Sequence, residues 1–138
     1  NIDGLHQKAG SRKVYELHGS IHRNYCQKCG RFYDAAYVKA APGIPRCECG
    51  GVIKPDVVLY EESLDAVTIQ RSIQAISEAD TLIIGGTSLV VYPAASFIDY
   101  FHGRHLVVIN KSATAREVGA ELTISAPIGE ILGQITVK

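Results

Sequence analysis

Residues 25–51 have the sequence YCQKCGRFYDAAYVKAAPGIPRCECGG and contain all four cysteines of the chain. Cys26 and Cys29 form a C-x2-C pair, seventeen residues follow, and Cys47 and Cys49 form a C-x-C pair. Two closely spaced pairs let two tight turns supply four thiolates, which complete a tetrahedral zinc shell. A closed shell has no open position for substrate, so we predict a zinc ion with a structural role. The alternatives are two disulfides or four unconnected buried thiols, and the C-x-C pair is tighter than the usual C-x2-C.

The bulk composition indicates a globular protein. The chain has 138 residues, of which 46% are hydrophobic and 20% charged, enough for one domain or for a core with a small module. The net charge is zero, but residues 1–54 carry nine Lys and Arg against four Asp and Glu, and residues 55–138 carry five against ten. The basic half could attract nucleic acid, an acidic partner or a phosphorylated cofactor. With no apolar run long enough to span a bilayer, the sequence predicts a protein of the reducing cytoplasm with no membrane partner.

The segment before the cysteines contains several candidate polar residues. Residues 1–10, NIDGLHQKAG, predict a loop entering a short helix, and Lys13–Leu17 predicts a short strand that ends at His18. A histidine followed by glycine can be approached by a ligand, and its near-neutral pKa lets it accept a proton from a hydroxyl. A structural role for His18 is the alternative, and composition does not choose between it, His6 and His22.

Two elements are predicted around the second cysteine pair. Asp34–Ala40 predicts one or two helical turns between the pairs. After them, the β-branched run Val57–Tyr60 predicts a strand. That strand is either a core strand or an edge that accepts a peptide by strand addition.

From Leu64 onward the pattern alternates between helices and strands. We predict helices over Ala66–Ile76, Pro93–Tyr100 and Ile128–Ile135, and strands over Thr81–Ile84, His105–Ile109 and Leu122–Ile124. Continuous apolar strands that alternate with helices predict an α/β fold with a parallel sheet covered on both faces. Gly85–Ser88 and Asn110 follow two of these strands, where such sheets bind ligands. The G-x-G-x-x-G fingerprint is absent, so a nucleotide site and a simple glycine-rich turn both stay open.

Six stretches in this order resemble the sirtuin family of NAD-dependent protein deacylases. They are NIDGLH (Asn1–His6), HG (His18–Gly19), the four cysteines, PDVVLYEE (Pro55–Glu62), GTSLVVYPA (Gly86–Ala94) and VIN (Val108–Asn110). The resemblance implies a Rossmann-like parallel sheet, present in part, with an inserted small zinc-ribbon domain. It assigns residues 1–19 to the catalytic loop of the NAD-binding domain, residues 20–54 to the zinc ribbon and residues 55–138 to the remainder of the NAD-binding domain.

The resemblance also implies an activity, the deacylation of lysine with NAD, which releases nicotinamide and O-acyl-ADP-ribose. The catalytic residues would be His18, the general base, and Asn1, which would also line the ribose site. Ile2 and Asp3 would lie at the nicotinamide. The other cofactor-binding residues would be Gly86, Thr87, Ser88 and Asn110 at the phosphates and ribose, and Pro127 and Ile128 at the adenine. The acyl-lysine peptide would contact Val57, Val58, Tyr60 and Glu61.

The chain departs from the family pattern at several places. Tyr60 stands where the family often has Phe and Glu61 where it often has Gly, which leaves the acyl preference open. The family's first glycine-rich NAD-binding stretch precedes NIDGLH and is not in these 138 residues. We therefore expect the chain alone to bind NAD weakly and not to deacylate lysine unless a separate N-terminal segment completes it.

Two other hypotheses about the function of the chain stay open. One is a non-enzymatic zinc-ribbon module that binds nucleic acid through Arg23, Lys28 and Arg31, although few aromatic residues are available for stacking. The other is an inactive fragment of an NAD-dependent protein-lysine deacylase. We expect an acyl-lysine protein as the partner in preference to nucleic acid.

Overall fold

The computed structural model describes residues 1–114 and 119–136. The chain divides into two compact units, Asn1–Ile69 and Gln70–Lys138. The first unit contains α1 (Leu5–Lys8), β1 (Gly19–Cys26), β2 (Phe32–Tyr33), α2 (Ala35–Ala40) and β3 (Ile53–Val57). Helix α3 (Ala66–Ser77) spans the division. The second unit continues with β4 (Thr81–Gly85), a 3₁₀ helix (Ala94–Tyr100), β5 (His105–Ile109), β6 (Leu122–Ile124) and α4 (Ile128–Leu132). None of the helices described is long and apolar enough to cross a membrane.

The first unit is built on an antiparallel sheet with the strand order β2-β1-β3. The pairing of β1 with β3 contains a bulge, because Ser20 pairs with Asp56 and the next pair joins Asn24 to Pro55. Three residues of β1 are thus left outside the ladder. Strand β3 lies at the edge of this sheet, a position that tolerates the missing N–H of Pro55.

Two buried polar side chains stabilise this bulge. Ser20 is 2% exposed and Asn24 is 1% exposed. The Ser20 hydroxyl accepts a hydrogen bond from the backbone N–H of His22 at 3.2 Å. The Asn24 amide donates to the carbonyls of Ile21 at 3.1 Å and Tyr33 at 3.2 Å. Two of these bonds satisfy backbone groups of His22 and Ile21 in the bulge, and the third ties Asn24 to β2. Backbone groups that a bulge leaves out of the ladder need such partners.

The hydrophobic core of this unit is small. Its buried members are Cys26, Cys47 and Ile53, against which Tyr33 and Val38 pack. Such a core supplies little stability by itself, and modules of this size commonly depend on a bound metal.

The second unit contains the predicted parallel sheet, with the strand order β4-β5-β6. Its buried residues include Ala95 and Phe97 of the 3₁₀ helix and Val108 and Ile109 of β5. The α/β fold class and the parallel pairing are therefore confirmed. The expectation of a sheet covered on both faces is wrong for β4 in this chain, because Ile83 is 48% exposed.

Three predicted elements differ from the structure. Lys13–Leu17 forms no strand, and β1 begins only at Gly19. The strand expected at Val57–Tyr60 lies earlier, at Ile53–Val57, since that segment is the one that pairs with β1. The terminal helix is shorter than expected and ends at Leu132.

Candidate active site and metal centre

The four cysteine sulfurs form one cluster in the first unit and lie within 4.8 Å of one another. The Sγ atoms of Cys26 and Cys49 are 3.5 Å apart, and those of Cys29 and Cys47 are 3.6 Å apart. A disulfide requires about 2.05 Å, so all four are free thiols and the disulfide alternative is wrong. Zn–S bonds of about 2.3 Å place the sulfurs of a tetrahedral shell ~3.8 Å apart. The cluster therefore fits a structural zinc ion.

Hydrogen bonds to the sulfurs favour the thiolate form that zinc requires. The Tyr33 hydroxyl donates to Cys47 Sγ at 3.1 Å, and this bond is the main cause that lowers the pKa of Cys47 to about 6. The backbone N–H of Lys28 donates to Cys26 Sγ at 3.3 Å. The N–H of Gly51 acts to lower the pKa of Cys49, but the neighbouring sulfurs raise it to about 12. Four thiolates this close repel one another, and a divalent cation removes that repulsion.

The basic residues of this unit contact the protein itself. Arg31 pairs with Glu48, and the Lys28 ammonium donates to the carbonyl of Cys49 at 3.4 Å. Arg23 pairs with the carboxylates of Glu16 and Asp56. Phosphate binding by these cations would have to displace their present partners, so the geometry weighs against the nucleic-acid-binding alternative.

His18 lies in a turn just before β1 and is half-buried. The backbone N–H of Gly19 donates to the carbonyl of Glu16 at 3.0 Å and closes this turn. The His18 carbonyl accepts the N–H of Val58 at 3.1 Å. Gly19 has a φ of +76°, and a Cβ on it would lie 1.8 Å from the Asp56 carbonyl oxygen. The candidate base is thus placed beside β3 by a contact that only glycine allows.

A network of charged side chains surrounds this turn. Arg23 donates to Glu16 at 2.7 Å and to Asp56 at 2.8 Å, and these bonds hold the pKa of Arg23 above its ordinary value. Gln7 donates to the second carboxylate oxygen of Glu16 at 2.9 Å. The network joins α1, the His18 turn, β1 and β3. The sequence did not indicate this network, because pairs of opposite charge seven and 33 residues apart in irregular segments carry no local signal.

The Asn1–Asp3 segment lies along the bulged part of β1. The N–H of Ile21 donates to the Ile2 carbonyl at 3.1 Å, and Nε2 of His22 lies 2.9 Å from the Asp3 carbonyl oxygen. The Asp3 carboxylate accepts the backbone N–H of Leu5 at 3.0 Å, which is the main cause that lowers its pKa. His22 thus positions this segment, and Asp3 stabilises the start of α1.

The predicted substrate segment leaves the sheet after Val57. Tyr60 is fully exposed, at 101%, and Glu61 has a φ of +69°, a conformation that favours glycine. The Glu62 carboxylate accepts the N–H of Leu59 at 2.9 Å and the ammonium of Lys54 at 3.0 Å. These bonds lower the pKa of Glu62 and hold the loop in a compact turn.

The second unit has a cavity of about 320 Å³ at the carboxyl ends of its strands. Four of its lining residues are among the predicted cofactor-binding residues; the full lining is Gly86, Asn110, Lys111, Pro127, Ile128 and Gly129. Thr87 and Ser88 are not part of this lining, and the Thr87 hydroxyl accepts the N–H of Leu89 at 3.2 Å. Lys111 and Gly129 were not predicted, although Lys111 directly follows a strand end and its cation suits a phosphate.

Comparison with known proteins gives consistent matches. A model of the Sir2 family matches residues 1–93. The NAD-dependent protein deacetylase of Clostridium acetobutylicum is 66% identical over 134 residues, which are 96% of this chain and 55% of that protein. The NAD-dependent protein deacetylase of Clostridium perfringens is 59% identical over 137 residues, 98% of this chain and 56% of that protein.

Solved structures are similar in fold as well. A crystal structure of Sir2 with the inhibitor EX-527, 2'-O-acetyl-ADP-ribose and a deacetylated p53 peptide has a TM-score of 0.88 and 36% identity, over 97% of this chain and 60% of that chain. A structure of Sir2 bound to an acetylated peptide has a TM-score of 0.84 and 33% identity, over 97% of this chain and 59% of that chain. This chain spans about half the length of the curated relatives that it matches.

Proposed function

Because this chain belongs to the Sir2 family, we propose that it provides the base, the substrate segment and part of the cofactor site of an NAD-dependent protein-lysine deacetylase. One observation carries this proposal. The hydrogen bond from the Val58 N–H to the His18 carbonyl puts the candidate base next to the segment that would hold the acyl-lysine. The relatives named as deacetylases, and the Sir2 structures with acetylated peptide and 2'-O-acetyl-ADP-ribose, support it.

In this proposal the first unit holds the reacting groups. NAD, when bound, supplies the ribose that accepts the acyl group, with nicotinamide as the leaving group. His18 takes a proton from a ribose hydroxyl, which makes that oxygen a nucleophile. Asn1 and Asp3, with Ile2 between them, contact the ribose and the nicotinamide. The peptide backbone lies along residues 57–62, with Val57, Val58, Tyr60 and Glu61 as its contacts. Zinc in the cysteine cluster stabilises the unit and takes no part in the reaction.

The second unit would bind the remainder of NAD. Pro127 and Ile128 offer apolar surface for a planar base, while Asn110 and Lys111 offer polar and cationic groups for ribose and phosphate. Gly86, Thr87 and Ser88 extend this site along the turn after β4. These assignments accord with the general position of ligands at the carboxyl ends of parallel strands.

The domain limits and the location of the protein are also proposals. We assign residues 20–54 to a zinc ribbon and residues 1–19 and 55–138 to the NAD-binding domain. Strand β3 crosses the division at residue 54, so this limit separates roles and does not interrupt the sheet. We assign the protein to the cytoplasm because four free thiols that bind zinc persist in a reducing compartment.

A chimera tests the proposed function. In this chimera, residues 1–138 of the present chain replace the matching part of the Clostridium acetobutylicum relative, which is 66% identical. The release of nicotinamide from NAD is then measured with an acetyl-lysine peptide. We expect NAD-dependent deacetylation by the chimera. The His18→Ala variant should lose roughly 10²–10⁴-fold in rate, the usual contribution of a positioned base, with its zinc content unchanged.

His6→Ala is the control, since His6 is an exposed histidine of α1. It should retain the activity of the chimera. Near-normal turnover by His18→Ala, or an equal loss in the two variants, would remove His18 from the role of base.

A further inference from the structure

We propose that the Tyr33 hydroxyl determines how tightly this chain retains zinc. It donates a hydrogen bond to Cys47 Sγ at 3.1 Å, and it does so from outside the set of four metal ligands. The proposal concerns the metal cluster alone and does not depend on the proposed deacetylase activity.

The surroundings of Cys47 make this bond important. Cys47 is only 5% exposed, so water does not readily replace a lost donor at its sulfur. A buried acceptor that loses one of its donors is stabilised less, and the loss is larger for a charged group such as a thiolate. Donors that surround metal ligands stabilise the bound state for this reason.

Tyr33 is held in place from several directions. Its backbone pairs with Asn24 of β1, and its carbonyl accepts the buried amide of the same residue at 3.2 Å. Its ring lies 4.5 Å from the ring of Tyr37, tilted by 42°. A hydroxyl fixed in this way loses little rotamer freedom when it binds sulfur, so its hydrogen bond is pre-organised.

The neighbouring tyrosine provides a matched control. The ring of Tyr37 packs against the ring of Tyr33, but its hydroxyl donates to the carbonyl of Arg46 at 3.0 Å and not to a sulfur. Tyr33→Phe and Tyr37→Phe therefore remove the same atom from adjacent rings. Only the first removes a donor to a metal ligand.

The experiment measures zinc transfer from the full 138-residue chain to a chromophoric chelator. We expect Tyr33→Phe to bind zinc 10- to 100-fold more weakly than the parent chain, the usual cost of losing an outer hydrogen bond to a ligand. Tyr37→Phe should stay close to the parent. In cobalt-substituted protein, the thiolate-to-cobalt absorption band should shift in Tyr33→Phe and not in Tyr37→Phe.

A second variant keeps the test decisive if Tyr33→Phe does not fold. Tyr33→3-fluorotyrosine keeps the ring and makes the hydroxyl a stronger donor, so it should slow zinc transfer. Equal zinc affinity in Tyr33→Phe and Tyr37→Phe, or no effect of fluorination, would overturn the proposal. Neither readout uses NAD or peptide, so a failure here is distinct from a failure of the proposed activity.

Discussion

At the scale of single residues, glycine decides the geometry next to the candidate base. Gly19 combines a φ of +76° with a backbone approach so close that a Cβ would lie 1.8 Å from the Asp56 carbonyl oxygen. Gly10 has a comparable φ of +91°, but nothing lies within 4 Å of its Cβ position. Substituting each glycine with alanine therefore distinguishes the cost of a positive φ, which both positions carry, from the cost of the close backbone contact, which only Gly19 carries.

We predict that Gly19→Ala destabilises the zinc-loaded chain more than Gly10→Ala. Each variant carries a conformational cost of ~1–2 kcal/mol for a left-handed residue. Gly19→Ala must in addition move β3 away from β1, which breaks the pairing of Gly19 with Val57. The free energy of unfolding in urea measures both. Equal losses in the two variants would show that the Asp56 carbonyl does not come close enough to Gly19 to exclude a Cβ.

At the scale of elements, β1 is the strand on which the first unit depends. Its second half pairs with both β2 and β3, whereas its first half pairs with β3 and contacts the Asn1–Asp3 segment. Because of the bulge between the two halves, the same strand can pair with β2 and β3 at one end and contact the Asn1–Asp3 segment at the other. Asn24 lies at the end of this bulge, where its amide satisfies two carbonyls.

We predict that Asn24→Ala destabilises the unit by about 1–3 kcal/mol, because two part-buried hydrogen bonds from a side chain that is 1% exposed are lost. Gln27→Ala is the control. The Gln27 amide also donates to a strand carbonyl, that of Tyr25 at 3.3 Å, but in an exposed position where water can replace it. Thermal unfolding of the zinc-loaded variants measures the difference. A loss in Gln27→Ala as large as in Asn24→Ala would contradict the role given to the bulge.

The sequence predicted the elements of the second unit better than those of the first. The parallel strands are continuous apolar runs bounded by turns, so β4, β5 and β6 were located almost to the residue. In the first unit, Lys13–Leu17 and Val57–Tyr60 have a composition typical of strands. Which segment forms a strand there depends on which one can pair with β1. Lys54 and Pro55 lie in β3 because β1 pairs with them, a long-range condition that local propensity does not contain.

The candidate site was predictable to a similar degree. Cysteine spacing located the metal cluster, and the resemblance to a family located His18, although its assigned role stays a prediction. The residues that hold the site together were not predicted. Arg23, Glu16 and Asp56 come from separate segments, and nothing in the sequence around Tyr33 indicates that its hydroxyl binds a sulfur.

At the scale of the whole chain, the metal and the candidate base depend on the same sheet in residues 1–69. Cys26 ends β1, and His18 directly precedes it. The pairing of β1 with β3 ends at Gly19 and Val57. It thereby positions the next residue, Val58, whose N–H donates to the His18 carbonyl. The parallel sheet of the second unit has its own ladder and its own buried residues.

We therefore predict that removing zinc loosens the His18 turn as well as the cysteine cluster. Metal binding in zinc-finger peptides contributes an apparent ~10–16 kcal/mol that is also folding free energy, and the small core around Ile53 cannot replace it. After treatment with a chelator, hydrogen exchange should accelerate at the amides of Gly19, Ile21 and Val58. The amides of β5 in the second unit serve as the internal reference and should keep their protection. Acceleration confined to residues 26–53, with Gly19 and Val58 unchanged, would show that the turn carrying His18 holds its shape without the metal.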